Sequence, residues 1–590
     1  MARKKKQHRE STDSDENLSG RDVPALWRTR EFAIAIVSGV LLCGAFPPLG
    51  IWPLAFVAPI GWLRLIRTKT LPEKRPFGTF YLAGFVHWMI LVQWVRLPHW
   101  SAYFGWIVLA GYLAVYIPAF VFISRAMVHR WRVPSVLAAA VAWTGLELAR
   151  GYLFTGFSLS LLGHAVVNVP LLTQIADTFG AYGVSFVVMT VAAGIERCIP
   201  LRRGDERPLQ HSRIAAVGSS VWAGCLLLVT LLYGWTQLQH VDAISAMPAA
   251  GNPEVLNIGL IQGVYDTEFD TNQEVARRRS DQAFDDYVRI SREAMVEDLV
   301  KADLIIWPES MFSTGWRHGA YFTYDDDLTA RPDLELTKDE WKRWLVRSRR
   351  VSDASFVHVA NMLRMDLYSA EMIAGVSRVH ASGDTEQRFN SAMHVDSEGK
   401  LIGWYDKMHP VMFGEYVPLG SLFPWLYKLT PMGAGLTAGA APEVFNAKGI
   451  RICPSICFEN TVPHLIRQQV ETLAENGEEP DCLVTITNDG WFWGSSLLDV
   501  HLACGVFRAI ENRKPMLIAA NTGFSAHIDR RGDIVSKGPR RAEGHIWCGV
   551  SGRNAMISNY RRLGDWPAGC CLALSLTAWL MASFPHRSPG

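Results

Sequence analysis

IRICPSICFEN, residues 450–460, is an apolar run that stops on a cysteine followed by an acid, the pattern of a buried strand giving way to a turn. A helix is expected to begin near Asn460, which puts Cys457 at a helix N-terminus, where unpaired N–H groups and the positive dipole end favour a thiolate. Two other runs end in the same manner: DLIIWPES (303–310) carries Glu309 at a strand end, and GWYDKMHP (403–410) places Lys407 just after one. Groups at strand ends sit on a rim of the sheet, where α/β folds place their sites. A thiol of ordinary pKa, about 8.5, is only a few per cent ionised at neutral pH, so a base is needed. Glu309 is the candidate base, and Lys407, with a backbone N–H such as that of Phe458, can hold the oxyanion of a tetrahedral intermediate. Taken singly, a strand-end cysteine is more often a small buried hydrophobe, and Glu309 and Lys407 also read as an ordinary ion pair.

Outward from these segments the β-rich runs continue: VLNIGLIQG (255–263), SFVHVANML (355–363), MIAGVSRV (372–379), FNSAMHVDS (389–397), CLVTITND (482–489) and PMLIAANTG (515–523). Helical stretches are expected at 461–476 and 499–512, giving an α/β domain over about residues 250–555. Residues 311–350 fit this alternation poorly and read as surface decoration or as an insertion over the site.

The remainder is too apolar for a soluble protein of this size: 49% of the 590 residues are hydrophobic, 22 are Trp, and only 19% are charged. The apolar residues are clumped at 32–48, 51–66, 79–95, 103–124, 135–149, 181–195 and 214–235, with a last run at 566–584. A bilayer core of roughly 30 Å asks for about 20 such residues, so these read as seven spans (31–240) and a final one. Residues 1–30 read as a disordered polar tail, without the short apolar core and cleavage site of a signal peptide. Lys and Arg collect in that tail and in alternate loops (Arg64, Arg67, Lys69, Lys74, Arg75; Arg125, Arg130, Arg132; Arg197, Arg202, Arg203, Arg207, Arg213), while the intervening short loops carry only Arg96 and Arg150. By the positive-inside rule both termini are cytoplasmic and the α/β domain lies outside the membrane.

A net charge of +2 gives no argument for nucleic acid, and ten cysteines without a CxxC pair suggest neither zinc nor a disulfide framework. Five cysteines fall in the outer domain, so at least one thiol there is unpaired.

WPE around Glu309, YDK around Lys407 and ICFE around Cys457 together resemble the nitrilase (carbon–nitrogen hydrolase) superfamily, whose members use a Glu, Lys, Cys triad on an αββα sandwich. IGLIQG, TNDGWFWG (487–494) and 501–529 extend the likeness over most of 255–553. FGEYVPL (413–419), WTGLELARGYLFTGFS (143–158, with Glu147 and Arg150 as internal polar contacts) and a domain inserted before the last span are similar to the superfamily's membrane branch, the apolipoprotein N-acyltransferases. Departures are Met408, where the branch has a basic residue, and GFSL around Phe157 in place of GFPW.

The resemblance implies catalytic Glu309, Lys407 and Cys457, supporting roles for Glu415 and Glu459 that can equally be structural, and no metal or cofactor. It implies an enzyme of the bacterial inner membrane whose partners are the bilayer, a phospholipid acyl donor and a diacylated apolipoprotein acceptor, joined in a ping-pong cycle through a thioester. SLFPWLYKLTPMGAGL (421–436) reads as an arm dipping into lipid or as core packing. Two other readings use the same residues: a membrane-tethered amidase with water as second nucleophile, and a non-enzymatic transporter or receptor on a nitrilase scaffold.

Overall fold

The computed structural model describes residues 30–68, 70–71, 76–199, 213–246, 255–267, 272–297, 301–312, 319–364, 370–420, 422–429, 435–552 and 556–583; the tail expected at 1–30 lies outside these but for Arg30. The apolar part contains helices α1 (Arg30–Cys43), α2 (Leu54–Val57), α3 (Ile60–Arg67), α4 (Pro76–Leu91), α5 (Ala102–Ala114), α6 (Tyr116–Arg130), α7 (Ser135–Tyr152), α8 (Pro170–Thr173), α9 (Ala176–Arg197) and α10 (Arg213–Ala246). Among the described residues four stretches are long and apolar enough to cross a membrane: Ala102–Arg130, Ala176–Arg197, Ala216–Ala243 and Trp566–Ser583; α1 and α4 carry shorter apolar helices. The run expected to span at 51–66 is not one helix. Pro53 and Pro59 stand just before α2 and α3, where each removes a backbone donor and stops the preceding turn.

α9 measures the bundle. Near its start Asp177 Oδ2 accepts from Arg513 Nη2 at 2.6 Å, and near its end Glu196 accepts from Arg67 Nη1 at 2.8 Å. Between them α9 breaks at Gly180, and the unbroken helix over residues 181–197 rises about 24 Å at 1.5 Å per residue, most of a hydrocarbon thickness. The Arg67 end also gathers Arg125, whose Nη1 donates to the Leu65 carbonyl at 2.6 Å, and His129 against the Ile66 carbonyl. Loops expected on one side of a membrane thus meet at one end of the bundle, and the α/β domain meets the other.

That domain is built from strands β1 (Val255–Gln262), β2 (Leu304–Ile306), β3 (Ala320–Tyr324), β4 (Glu371–Ser382), β5 (Thr385–Val395), β6 (Leu401–Asp406), β7 (Phe445–Ala447), β8 (Ile450–Ile456), β9 (Cys482–Asn488), β10 (Met516–Asn521), β11 (Ala526–Ile528), β12 (Ile534–Lys537) and β13 (Gly544–Ser551). One sheet has the order β13-β1-β2-β4-β5-β6 with β3 on β4, and the other runs β12-β11-β10-β9-β8-β7. Their inner faces share a core that includes Leu260, Ile306, Tyr405, Ile452, Ile486 and Leu517. Helices α11 (Gln273–Glu297) and α12 (Lys338–Met362) cover the first sheet through Tyr287, Val288, Phe356 and Val359. α13 (Pro463–Glu475) and α14 (Leu497–Asn512) cover the second, completing an αββα sandwich. The chain closes with α15 (Asn559–Leu563) and α16 (Trp566–Ser583).

SFVHVANML, expected as a strand, is the end of α12. Its β-branched residues are outvoted by a helical stripe of buried Trp341, Leu345, Ser348, Ser355, Phe356 and Val359, started by a Thr337–Glu340 capping box. The described part of 311–350 is sheet and helix: β3 extends the sheet alongside β4, and Phe322, Leu328 and Trp341 form a small core there. In the 421–436 segment Leu422 and Trp425 are 70% and 57% exposed, which excludes core packing for them.

Candidate active site

The strand ends converge. Glu309 lies three residues beyond β2, on a turn that passes so close to β4 that a Cβ on Gly375 would stand 2.5 Å from the Glu309 Cα and 2.4 Å from the Ser310 nitrogen. Only glycine permits that approach. Lys407 follows β6 directly; its N–H donates to the Asn390 carbonyl on β5 at 2.8 Å, and its own carbonyl accepts from Gly439 N–H at 2.8 Å. Cys457 follows β8 with φ +53, a left-handed conformation that costs a side-chain-bearing residue about 1–3 kcal/mol.

Glu309 Oε1 accepts from Asn390 Nδ2 at 2.6 Å and lies 3.5 Å from Lys407 Nζ, while Oε2 accepts from the Asn488 N–H at 2.8 Å. Asn488 ends β9, so this carboxylate bridges the two sheets. Lys407 Nζ donates to Glu415 Oε1 at 2.8 Å, and Glu415 Oε2 accepts from the Val411 N–H at 2.7 Å. Burial pushes Glu309 above the usual carboxylate range, with Lys407 pulling the other way. Burial acts likewise on Glu415, but there the Lys407 ammonium outweighs it and holds the carboxyl low. Burial would lower Lys407, yet Glu415 and Glu309 more than offset this and keep it charged.

The helix expected near Asn460 begins at Pro463, and residues 457–461 form one tight turn. The helix end expected to favour a thiolate is therefore not at Cys457, and burial and the Glu309 charge hold this thiol well above the ordinary range. At rest the group is a neutral thiol beside a carboxylate of raised basicity.

Glu459 is fully buried and surrounded by protein donors. Its Oε2 accepts from the Ile456 N–H at 2.7 Å, and Oε1 accepts from Met408 N–H at 2.7 Å, His409 N–H at 3.0 Å and Tyr405 Oη at 2.8 Å. It therefore ties the cysteine turn to the lysine loop. Burial raises it to about 6. Glu459→Gln places an amide donor against backbone N–H groups; a cost of about 1–3 kcal/mol is expected, read as a lower melting temperature in detergent.

Phe458 stacks on His409, with ring centroids 5.8 Å apart. His409 in turn contacts the Thr155 carbonyl of the bundle through Nε2 at 2.7 Å. Glu147 and Arg150 are buried within α7, Glu147 accepting from the Leu162 N–H at 2.7 Å and Arg150 donating to the Leu159 carbonyl at 3.3 Å. Sequence reasoning missed Asn390, Asn488 and the pair Asp489–His501. His501 Nε2 lies 3.0 Å from the Cys457 carbonyl and its Nδ1 3.1 Å from Asp489 Oδ1. FNSAMHVDS and TNDGWFWG contain two of these asparagines, but nothing in either run announces a bond to a carboxylate far along the chain.

Residues 38–194 match the model of the apolipoprotein N-acyltransferase N-terminal domain, and 277–551 that of carbon–nitrogen hydrolases. The chain is 32% identical to the apolipoprotein N-acyltransferase of Rhodopirellula baltica, covering 92% of this chain and 96% of that one. It is 31% identical to the enzyme of that name from Geobacter metallireducens, over 92% and 94%. A nitrilase-superfamily protein of Saccharomyces cerevisiae, known in crystals, is similar at 14% identity with a TM-score of 0.34, over 52% of this chain and 93% of that one. Bundle and sandwich match together along nearly the whole chain, which belongs to the apolipoprotein N-acyltransferase family.

Proposed function

We propose that the chain transfers a fatty acyl group from a membrane phospholipid to the α-amine of an S-diacylglyceryl cysteine at the start of a lipoprotein, through a thioester on Cys457. The observation that carries this reading is the cluster itself: a neutral thiol, a carboxylate of raised basicity and a buried ammonium share one rim of a sandwich whose α13–α14 layer is packed into an apolar bundle. Glu309 takes the thiol proton as Sγ attacks the ester carbonyl. Lys407 Nζ and the Phe458 N–H stabilise the oxyanion, and collapse forms the thioester while Glu309 returns the proton to the departing lysophospholipid oxygen. The acceptor amine then attacks the thioester, Glu309 accepts its proton and passes it to the leaving thiolate, and the N-acylated lipoprotein departs. Glu415 holds Lys407, and Glu459 holds the loops of both Lys407 and Cys457.

The topology in this proposal is multi-pass in the cytoplasmic membrane, with spans over 31–240 and 566–584 and the sandwich on the outer side. It rests on the Lys and Arg that gather at the end of the bundle away from the sandwich. A tethered amidase needs only an anchor, whereas here one apolar core runs from the bundle into α14.

The test is mass spectrometry of the protein after incubation with phospholipid and no acceptor. A fatty-acyl mass on the peptide carrying Cys457, discharged by a diacylglyceryl peptide as an N-acyl product, is expected. Discharge by water alone assigns a hydrolase, and no adduct with any phospholipid removes the proposal.

A further inference from the structure

Arg96 stands out among the bundle's cations. It ends the single turn Gln93–Arg96 after α4, at the end of the bundle that faces the sandwich. Its neighbour Trp94 packs edge-on against Phe492 with centroids 5.3 Å apart. Phe492 closes the turn that begins at Asp489, and Asp489 is joined through His501 to the Cys457 carbonyl. The Arg96 turn is thus seated on the wall of the catalytic cluster.

Its guanidinium is held but not neutralised. Nη1 donates to Tyr103 Oη at 3.1 Å and Nη2 to Gln93 Oε1 at 3.2 Å, and the group lies 5.8 Å from the ring centroids of both Tyr103 and Trp106. No carboxylate pairs with it among the described residues, and the rest of its donor fork meets no acceptor there. Arg150, its counterpart in the sequence pattern, is enclosed in the bundle and bonded to carbonyls. Below Arg96, α5 and the residues before it present a continuous exposed apolar stripe of Trp100, Phe104, Ile107 and Val108, with Trp100 and Phe104 three-quarters exposed at 74% and 75%. Large exposed aromatics at the end of an apolar helix mark the level of lipid headgroups, and an arginine fixed at that level faces phosphate.

We propose that Arg96, oriented by Tyr103 and Gln93, binds the phosphate of the glycerophospholipid acyl donor and sets its depth, so that the ester linkage below the headgroup reaches Cys457. This deepens the acyl-donor reading above and rests on it. A guanidinium suits the role because it stays charged at the apolar boundary and can meet two phosphate oxygens at once.

The test compares acyl loading of Cys457 in the full chain, in mixed micelles, from dipalmitoylphosphatidylethanolamine and from dipalmitoylglycerol, which offers the same esters without phosphate. In wild type the phospholipid is expected to load faster. Arg96→Gln is expected to lower the ratio of the two rates about tenfold, and Arg96→Lys, which keeps the charge, to lower it less. An unchanged ratio overturns the proposal, and so does an equal fall with both donors, which makes Arg96 a structural residue. Wild-type loading with an unchanged ratio in Arg96→Gln rejects the phosphate site alone, whereas a wild type that no phospholipid loads removes the acyl-donor reading and the site with it.

Discussion

Cys457→Ala leaves a folded protein that forms no acyl adduct and has lost at least about four orders of magnitude of turnover. The loss should be near complete because the remaining residues act on the sulfur or on its adduct. Glu309 has no proton to take without a thiol, and Lys407 has no oxyanion to stabilise. Folding should survive: the substitution removes one sulfur, and alanine occupies the left-handed turn at a cost similar to that of cysteine. All ten cysteines are free thiols, but Cys453, Cys482, Cys504 and Cys548 are buried, so none of these four replaces it. Acyl-adduct mass and melting temperature, measured on one preparation, check both halves. An adduct that persists on the variant would place the nucleophile elsewhere and sink the assignment.

Glu309→Gln should lower the rate of acyl loading by about three orders of magnitude, the middle of what a general base contributes. Burial keeps the Cys457 proton on sulfur, so ionisation has to occur as the carbonyl is attacked. The same burial makes Glu309 a stronger base than an exposed carboxylate. The sign of the pH dependence follows. In the proposed cycle loading requires deprotonated Glu309, so the rate is expected to rise with pH through a carboxyl pKa above the usual range. The variant has no such group, and that limb should disappear from its profile. An amide in this place also sets one NH2 against Asn488 N–H or against Asn390 and Lys407, so some rate is lost through geometry alone. The vanished limb separates the two effects; a variant within tenfold of wild type and with the limb intact would show that another base serves Cys457.

How far the sequence foretells this arrangement depends on the range of the forces involved. Glu309, Lys407 and Cys457 were legible because each stands just past a short apolar run, and strand ends share a rim. Asn390, Asn488 and His501 were not, because their partners are 81, 179 and 44 residues away and polar residues carry no periodic signature. Apolar clumps located the bundle, yet composition does not see the donors missing at Pro53 and Pro59, so the short run at 51–66 became two helices. SFVHVANML was misread for the opposite reason: local β-preference was clear, but the longer stripe from Trp341 to Val359 decides the matter. The raised thiol was beyond reach as well, since desolvation is a property of the assembled site.

α14 lets water reach almost none of its surface. Nearly every residue from Leu497 to Asn512 is buried, Val506 and Phe507 included, and Glu511 accepts a hydrogen bond at 2.9 Å from the Ala181 N–H just past the break in α9 at Gly180. A helix dry on every side belongs to both bodies it separates, so the seam between membrane and catalytic parts is a feature of the chain and not of the folding unit. Severed near residue 250, the sandwich would carry a greasy wound where the bundle had been. A family built this way has little freedom to trade its catalytic half between proteins as a cassette; bundle and sandwich have to be inherited, and repaired, as one object.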